Sequence, residues 1–332
     1  MTHTRRALLA ASGIALATPI LAVPGAARAQ GGFPARTVTV LVPFAAGGPT
    51  DAITRLVAEG MSRDLGQTVV VENATGAGGT IAANRLAQAK PDGHTLLMHH
   101  IGLAATATLY RKLPFSVTES FAPLGLASEA AMTLVARPDF PAADFAGFMA
   151  EIKRRGSDVT LAHSGLGGAN HLCGMLLQQA AGTALTAVPY RGSAPAITEL
   201  MAGRIDVFCD QATNTIGPIR ENRIKAYAVT GAGRVPGLDA LPTTAEAGQP
   251  SIAMTTWHGL YAPRGTPEAV QERLSAALQA ALRGEVLRER FAKLVTDPAA
   301  EDRATPAYHR RFLAEEVARW RPIIQAAGQY AD

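Results

Sequence analysis

Val38-Thr-Val-Leu-Val-Pro-Phe-Ala-Ala-Gly-Gly-Pro-Thr-Asp51 sets the fold class of this chain. An apolar, β-branched run from Val38 to Phe44 reads as a strand. It ends in Gly47-Gly48, and a helix opens at once with Thr50-Asp51-Ala52-Ile53. In a strand–glycine turn–helix unit the first N–H groups of the helix have no partner inside the helix. They point into a concavity of positive partial charge, suited to a carboxylate or a phosphate. The glycines let a ligand approach main chain that a Cβ would shield.

The unit recurs along the chain. Thr68–Asn73 reads as a strand and leads through Gly76-Ala-Gly-Gly79 into a helix from Thr80 to Ala89. Val159–His163 leads through Ser164-Gly-Leu-Gly-Gly168 into a helix carrying Leu172, Leu176 and Leu177. Ala187–Tyr190 leads through Arg191-Gly-Ser193 into a helix with Ile197 and Leu200, and Arg204–Asp210 leads into a helix over Asn214–Asn222. Strands alternating with helices at this spacing predict an α/β protein with mixed, mainly parallel sheets, and ligands in such sheets sit at the carboxyl ends of strands. Two groups of units predict two lobes. The first takes residues 30–130 and 251–332, the second residues 131–250. Two helices close the chain, opening at Thr266-Pro267-Glu268 and Thr305-Pro306, each with a threonine placed to cap it.

Residues 1–29 read as an export signal. Arg5-Arg6 precede an apolar run from Ala10 to Val23, which ends in Ala27-Arg28-Ala29. The paired arginines point to the twin-arginine route, with the general secretory route as the alternative. Export predicts a soluble periplasmic protein. Removing residues 1–29 takes away Arg5, Arg6 and Arg28, so the basic residues fall from 31 to 28 against 27 acids, a net charge of +1. No nucleic-acid surface follows from that balance. Cys173 and Cys209 lie 36 positions apart, each in an apolar run. The expectation is two buried free thiols, although an oxidising compartment would allow a bridge.

Several catalytic patterns fail. Gly76-Ala-Gly78-Gly-Thr-Ile81 and Gly165-Leu-Gly167-Gly-Ala-Asn170 begin like dinucleotide fingerprints, but the third glycine is Ile81 in one and Asn170 in the other. No Gly-Lys pair offers a phosphate-loop lysine. No cofactor is expected. Ser164, His171 and Asp210 invite a hydrolase triad, yet the serine sits in Ala162-His-Ser164-Gly-Leu166, without the glycine spacing of a nucleophile elbow. His99 and His100 are adjacent and would face opposite sides of a strand, so they cannot chelate one ion, and no metal site is expected. Arg191 follows a strand directly and could fork onto a ligand carboxylate or pair on the surface. Trp257 could wall an apolar ligand face or sit in the core.

The same residues carry a family resemblance over essentially the whole exported chain. Val42–Asp51, Val70–Gly79, Pro91-Asp-Gly-His-Thr-Leu96, Ser164-Gly-Leu-Gly167, Val188–Pro195, Ala228-Val-Thr-Gly231 and Leu241–Gly248 occur in one order. Together they resemble the Bug family, the exported solute receptors of tripartite tricarboxylate transporters. The resemblance implies a two-lobed, hinge-closing periplasmic binding protein. Its ligand would be a small carboxylate: a di- or tricarboxylate, an amino-acid-like acid or an aromatic acid. It further implies that the 44–51 and 164–171 loops face each other across the cleft. The expected ligand-binding residues are Phe44, Ala46, Gly47, Gly48, Pro49, Thr50, Ser164, Gly165, Gly167, Gly168, His171, Tyr190, Arg191, Asp210 and Trp257. No catalytic residue and no enzymatic activity are expected. Membrane transporter subunits are the expected partners, and the receptor itself is expected as a monomer. Two departures stand out: Gly168 replaces a hydroxylated residue, and His99-His100 replace small ones. The alternatives are a ligand sensor for a signalling partner, or a periplasmic hydrolase or isomerase using His171 or Asp210.

Overall fold

The computed structural model describes residues 32–331, so the signal assigned to residues 1–29 lies outside the described residues. Residues 33–332 form one compact unit. The opening motif folds as read. β1 (Val38–Val42) leads through the glycine turn into α1 (Pro49–Leu65), whose first residue is the proline that fits that position best. β2 (Val69–Asn73) and β3 (Thr95–His100) flank β1, both parallel to it. α2 (Thr80–Ala87) and α3 (Gly102–Leu109) follow them.

One strand joins the two halves of the molecule. β4 (Phe121–Ala136) runs 16 residues, almost all buried, because both of its ends lie inside sheets. Its first part pairs antiparallel with β9 (Thr255–Pro263) as far as Ala131. From Met132 onward it pairs with β7 (Val207–Gln211), and its other edge takes β8 (Lys225–Val229). β7 pairs parallel with β5 (Thr160–His163), which pairs parallel with β6 (Thr186–Pro189). The first lobe therefore has the order β2-β1-β3-β9-β4, closed on the far side of β4 by the short β10 (Asp297–Pro298). The second has β8-β4-β7-β5-β6, covered by α4 (Phe145–Arg155), α5 (Ala169–Ala181), α6 (Ser193–Met201) and α7 (Ala212–Arg220). This is the mixed α/β, two-lobed architecture of a periplasmic binding protein.

The C-terminal segment packs on the first lobe. α8 (Glu268–Arg283) buries Leu274, Leu278 and Leu282, α9 (Glu285–Lys293) buries Leu287 and Phe291, and α10 (Pro306–Ala327) buries Leu313, Trp320 and Ile324. Thr305 caps α10 by accepting the Tyr308 N–H. Thr266 caps nothing: its hydroxyl donates to the Pro263 carbonyl at 2.8 Å, and α8 starts without a side-chain cap. A second expectation is also corrected. Cys173 on α5 and Cys209 on β7 are joined as a disulfide with Cα atoms 6.0 Å apart. Their burial in apolar surroundings was legible, but their proximity arises only when α5 packs against β7.

Candidate functional site

Four helices start at the junction of the lobes. α1 comes from the first lobe, and α5, α6 and α7 from the second. The first turn of each lies at or beside a narrow cleft of about 10 Å³, room for about one water molecule, so a larger ligand enters only as the lobes part. Phe44, Pro49, Thr50 and His100 form one wall, and Ser164, Asn170, Ser193 and Asp210 the other. Helix N-termini converging on a closed space favour negative charge inside it.

The acid within α1 is removed from that space. Asp51 turns back into its own loop, accepting the Gly47 N–H at 2.9 Å, the Asn73 amide at 3.0 Å and Arg55 at 2.9 Å. Burial opposes its ionisation, but these hydrogen bonds and the Arg55 charge outweigh burial and hold its pKa below the usual value. It therefore stiffens the loop without repelling an anion at the helix start. Thr50 faces the cleft, with its hydroxyl 3.1 Å from His258 Nε2. His100 stacks on Phe44 at a centroid separation of 4.5 Å and stands directly opposite His258 in the β3–β9 ladder.

The second-lobe wall is a hydrogen-bonded chain. The Asn170 carbonyl oxygen accepts the backbone N–H groups of Ser164 (2.8 Å) and His171 (3.1 Å) and the Ser164 hydroxyl (2.7 Å). Its amide donates to Ser193 Oγ at 3.1 Å, and Ser193 donates to Asp210 at 2.8 Å. Asn214 donates to the other Asp210 oxygen at 2.6 Å. Burial pushes the Asp210 carboxyl up to about 6, although the bonds from Asn214 and Ser193 pull the other way.

The lobes touch directly across the cleft. Ala45 N–H donates to the Arg191 carbonyl at 3.0 Å, Tyr110 donates to the Leu166 carbonyl at 3.2 Å, and His171 Nε2 lies 3.0 Å from Gln329 Oε1. Gly78 and Gly102 sit where a Cβ would come 1.8 Å from Leu166 O and 2.2 Å from Gly167 O, respectively. Backbone therefore meets backbone across the cleft, which only glycine permits at these two points.

Of the residues expected at the site, Phe44, Gly48, Pro49, Thr50, Ser164 and Asp210 line the inner cleft. Gly165, Tyr190 and Arg191 line an outer cavity of about 380 Å³ that adjoins it at Ser164. Ala46, Gly47, Gly167 and Gly168 line neither. They shape the two loops instead, with Gly168 N-capping α5 and the Gly167 N–H donating to His171 Nδ1 at 3.3 Å. His171 is a packed histidine beside His163, and burial lowers its pKa to about 4. Trp257 is a core residue: its indole N–H donates to Glu316 at 3.0 Å and its ring meets Phe312. Ser164 bonds Asn170 rather than His171, so the triad arrangement does not form. Ala169, Asn170, Ser193 and Gln211 also line the cleft and were missed. Their signal was positional, since each stands at or next to the start of a helix that follows a strand. In sequence, Asn170 reads only as the residue that breaks a nucleotide fingerprint. Among the described residues no group of three or more His, Cys, Asp or Glu could hold a metal ion.

Comparison with known proteins agrees with this geometry. Residues 53–329 match the family model described as the tripartite tricarboxylate transporter family receptor. A curated relative from Agrobacterium vitis, a UPF0065 protein in the TAR-I ttuE-ttuC' intergenic region, is 46% identical over 307 residues, spanning 92% of this chain and 89% of the relative. The solved periplasmic binding protein BugD is 40% identical with a TM-score of 0.88, over 90% of this chain and 100% of BugD. MatC from Rhodopseudomonas palustris, solved with bound malate, is 38% identical with a TM-score of 0.86, over 88% of this chain and 100% of MatC. This chain therefore belongs to the tripartite tricarboxylate transporter receptor family, to which the Bug proteins it resembles in sequence are also related.

Proposed function

We propose that this protein is an exported periplasmic receptor that captures a small carboxylate between its lobes and delivers it to the membrane subunits of a tripartite transporter. The observation that carries this reading is the convergence of the α1 start and the Thr50 hydroxyl with three second-lobe helix starts on one closed cleft. The malate bound to MatC supports the ligand class. A ligand touching both walls stabilises the closed form, because the open form offers only one wall at a time. The lobe boundaries at 130/131 and 250/251 belong to the proposal, and the first is supported by the change of β4 partners at Ala131/Met132. So does the monomeric state.

Export is supported by the twin-arginine pattern of residues 1–29, and the Cys173–Cys209 bridge fits an oxidising compartment. Among the described residues no helix is long and apolar enough to cross a membrane. Binding without covalent chemistry is supported by the side-chain bonding, because neither Ser164 nor Asp210 contacts a histidine that could serve as its proton partner. The test is calorimetric titration and thermal unfolding of residues 30–332 against citrate-like, C4-dicarboxylate, amino-acid, nicotinate-like and aromatic acids. A ligand at 100 times its Kd adds about 2.7 kcal/mol to stability. Binding by one acid class, weakened in Thr50→Ala/Ser164→Ala while folding is retained, is the expected result. Silence across all acids would overturn the receptor reading, and recovery of a chemically altered ligand would overturn binding without chemistry.

A further inference from the structure

The two walls of the cleft present opposite hydrogen-bonding senses, and buried neighbours fix each of them. On the first-lobe wall, His258 is fully buried between two hydroxyls, with Nε2 at 3.1 Å from Thr50 Oγ1 and Nδ1 at 3.1 Å from Ser128 Oγ. Burial lowers its pKa to about 3, so the ring is neutral and carries one proton. Neither hydroxyl has another side-chain or backbone partner among the described residues.

A proton on Nδ1 would be donated to Ser128. The Ser128 hydroxyl proton would then be stranded at a strand position with no exposure, at a cost of about 1–3 kcal/mol. With the proton on Nε2, Ser128 donates to Nδ1 and His258 donates to Thr50. The one proton left over is then that of Thr50, on the cleft wall, where a ligand can accept it. The second arrangement wins, and Thr50 is a donor.

The second-lobe wall is the reverse. Two backbone N–H groups fix which end of Asn170 carries the oxygen. The Ser164 hydroxyl, 2.7 Å from that oxygen, must donate to it and turns its lone pairs elsewhere. Ser193 has likewise given its proton to Asp210, whose carboxylate only accepts when ionised. The side chains of this wall therefore accept hydrogen bonds. The His171 N–H is taken by Asn170, and the Ala169 and Asn170 N–H groups at the start of α5 remain available for a second carboxylate.

Resting on the receptor reading above, we infer that the cleft selects a carboxylate bearing a hydrogen-bond donor beside its acid group, a hydroxy- or aminocarboxylate. Its carboxylate sits at the α1 start under Thr50. A hydroxyl beside it donates its one proton to Ser164 or Asp210, and an ammonium group donates to both. His258 and Ser128 do not touch the ligand. They are positioning residues that hold Thr50 in its donor sense.

The test is calorimetry of residues 30–332 with matched sets that differ at one carbon: succinate, malate and aspartate; glutarate, 2-hydroxyglutarate and glutamate; propionate, lactate and alanine. In the set that binds best, the substituted acids are expected to bind about 5- to 150-fold tighter than the unsubstituted one, the range for one buried hydrogen-bonding group left unpaired. The hydroxy and amino arms separate the two donor chemistries. Ser164→Ala should collapse that ratio, because the substituted acids lose an acceptor that the unsubstituted acid never used. Independently of any ligand, nitrogen-15 spectra of His258 should show a protonated Nε2 and a bare Nδ1. An unsubstituted acid binding as tightly as its substituted partners overturns the inference and leaves the receptor standing. A protonated Nδ1 overturns the assignment of Thr50 as donor. No binding by any acid overturns the inference and the receptor reading together.

Discussion

Closure of the cleft depends on a contact that a single methyl group should block. Gly78 lies in the turn before α2, at φ 60°, and faces the 164–168 loop of the other lobe. A Cβ there would lie 1.8 Å from Leu166 O, whereas ordinary contact begins at 3.4 Å, so Gly78→Ala requires the loops to part by about 1.6 Å. Overpacking of this kind costs about 1–3 kcal/mol. The left-handed backbone adds about 1–2 kcal/mol of strain, but in both open and closed forms, so it lowers stability without changing affinity. The affinity for the best-binding acid should therefore fall about 5- to 150-fold. Calorimetry gives the affinity, and solution scattering of the ligand-saturated protein should show a larger radius than the wild type. An affinity within twofold of wild type, with an unchanged radius, would refute the claim that these loops meet backbone to backbone in the bound form.

Other consequences follow from the same structure. Six buried histidines, at positions 99, 100, 163, 171, 258 and 309, have pKa values lowered by burial, to between about 3 and about 4 where a value is resolved. Unfolded histidines bind protons near pH 6.5 and these folded ones do not, so stability is present above that pH and is lost as pH falls below it. Asp210, raised to about 6, gains stability as pH falls through that value and offsets a small part of the loss. The net fall from pH 7 to pH 6 should be on the order of 3–4 kcal/mol in urea unfolding, and a loss under 1 kcal/mol would contradict the burial of these rings. Reduction of the Cys173–Cys209 bridge, which spans 36 residues, should cost about 3–4 kcal/mol. Calorimetry with and without a phosphine reductant checks this, and an unchanged Tm would mean that the bridge does not form. Arg191 is exposed at the outer cavity, and among the described residues its side chain makes no ion pair. Arg191→Ala should slow association with an acid a few-fold and flatten its salt dependence in stopped-flow measurements, with little change in the dissociation rate. A change confined to the dissociation rate would place the guanidinium on the bound ligand instead.

Local patterning carried far in this chain. The strand–glycine–helix units and the positions of the helix starts follow from residues within one turn of each other, where propensity and capping act. What eluded the linear reading involves partners far apart in sequence. No strand is read over Phe121–Ala136 in sequence, and only the exchange of β9 for β7 and β8 makes β4 the shared strand of both lobes. Cys173 and Cys209 become partners through the packing of α5 on β7. Trp257 was readable as cleft or core, and its neighbours Glu316 and Phe312 arrive from α10, about 60 residues later.

The sequence alone determined the α/β class and the family resemblance, because strand, turn and helix patterns rest on short-range signals; that the 44–51 and 164–171 loops face each other came only as an implication of the resemblance. Only the tertiary structure decided the sense of each hydrogen bond in the cleft. Ser164 and Thr50 stand in one list of ligand-binding residues in sequence, yet Ser164 spends its proton on Asn170, while Thr50 keeps its own because His258 and Ser128 leave it no acceptor. A hydroxyl can both give and accept, and its role is fixed by whichever buried neighbour would otherwise be left unpaired.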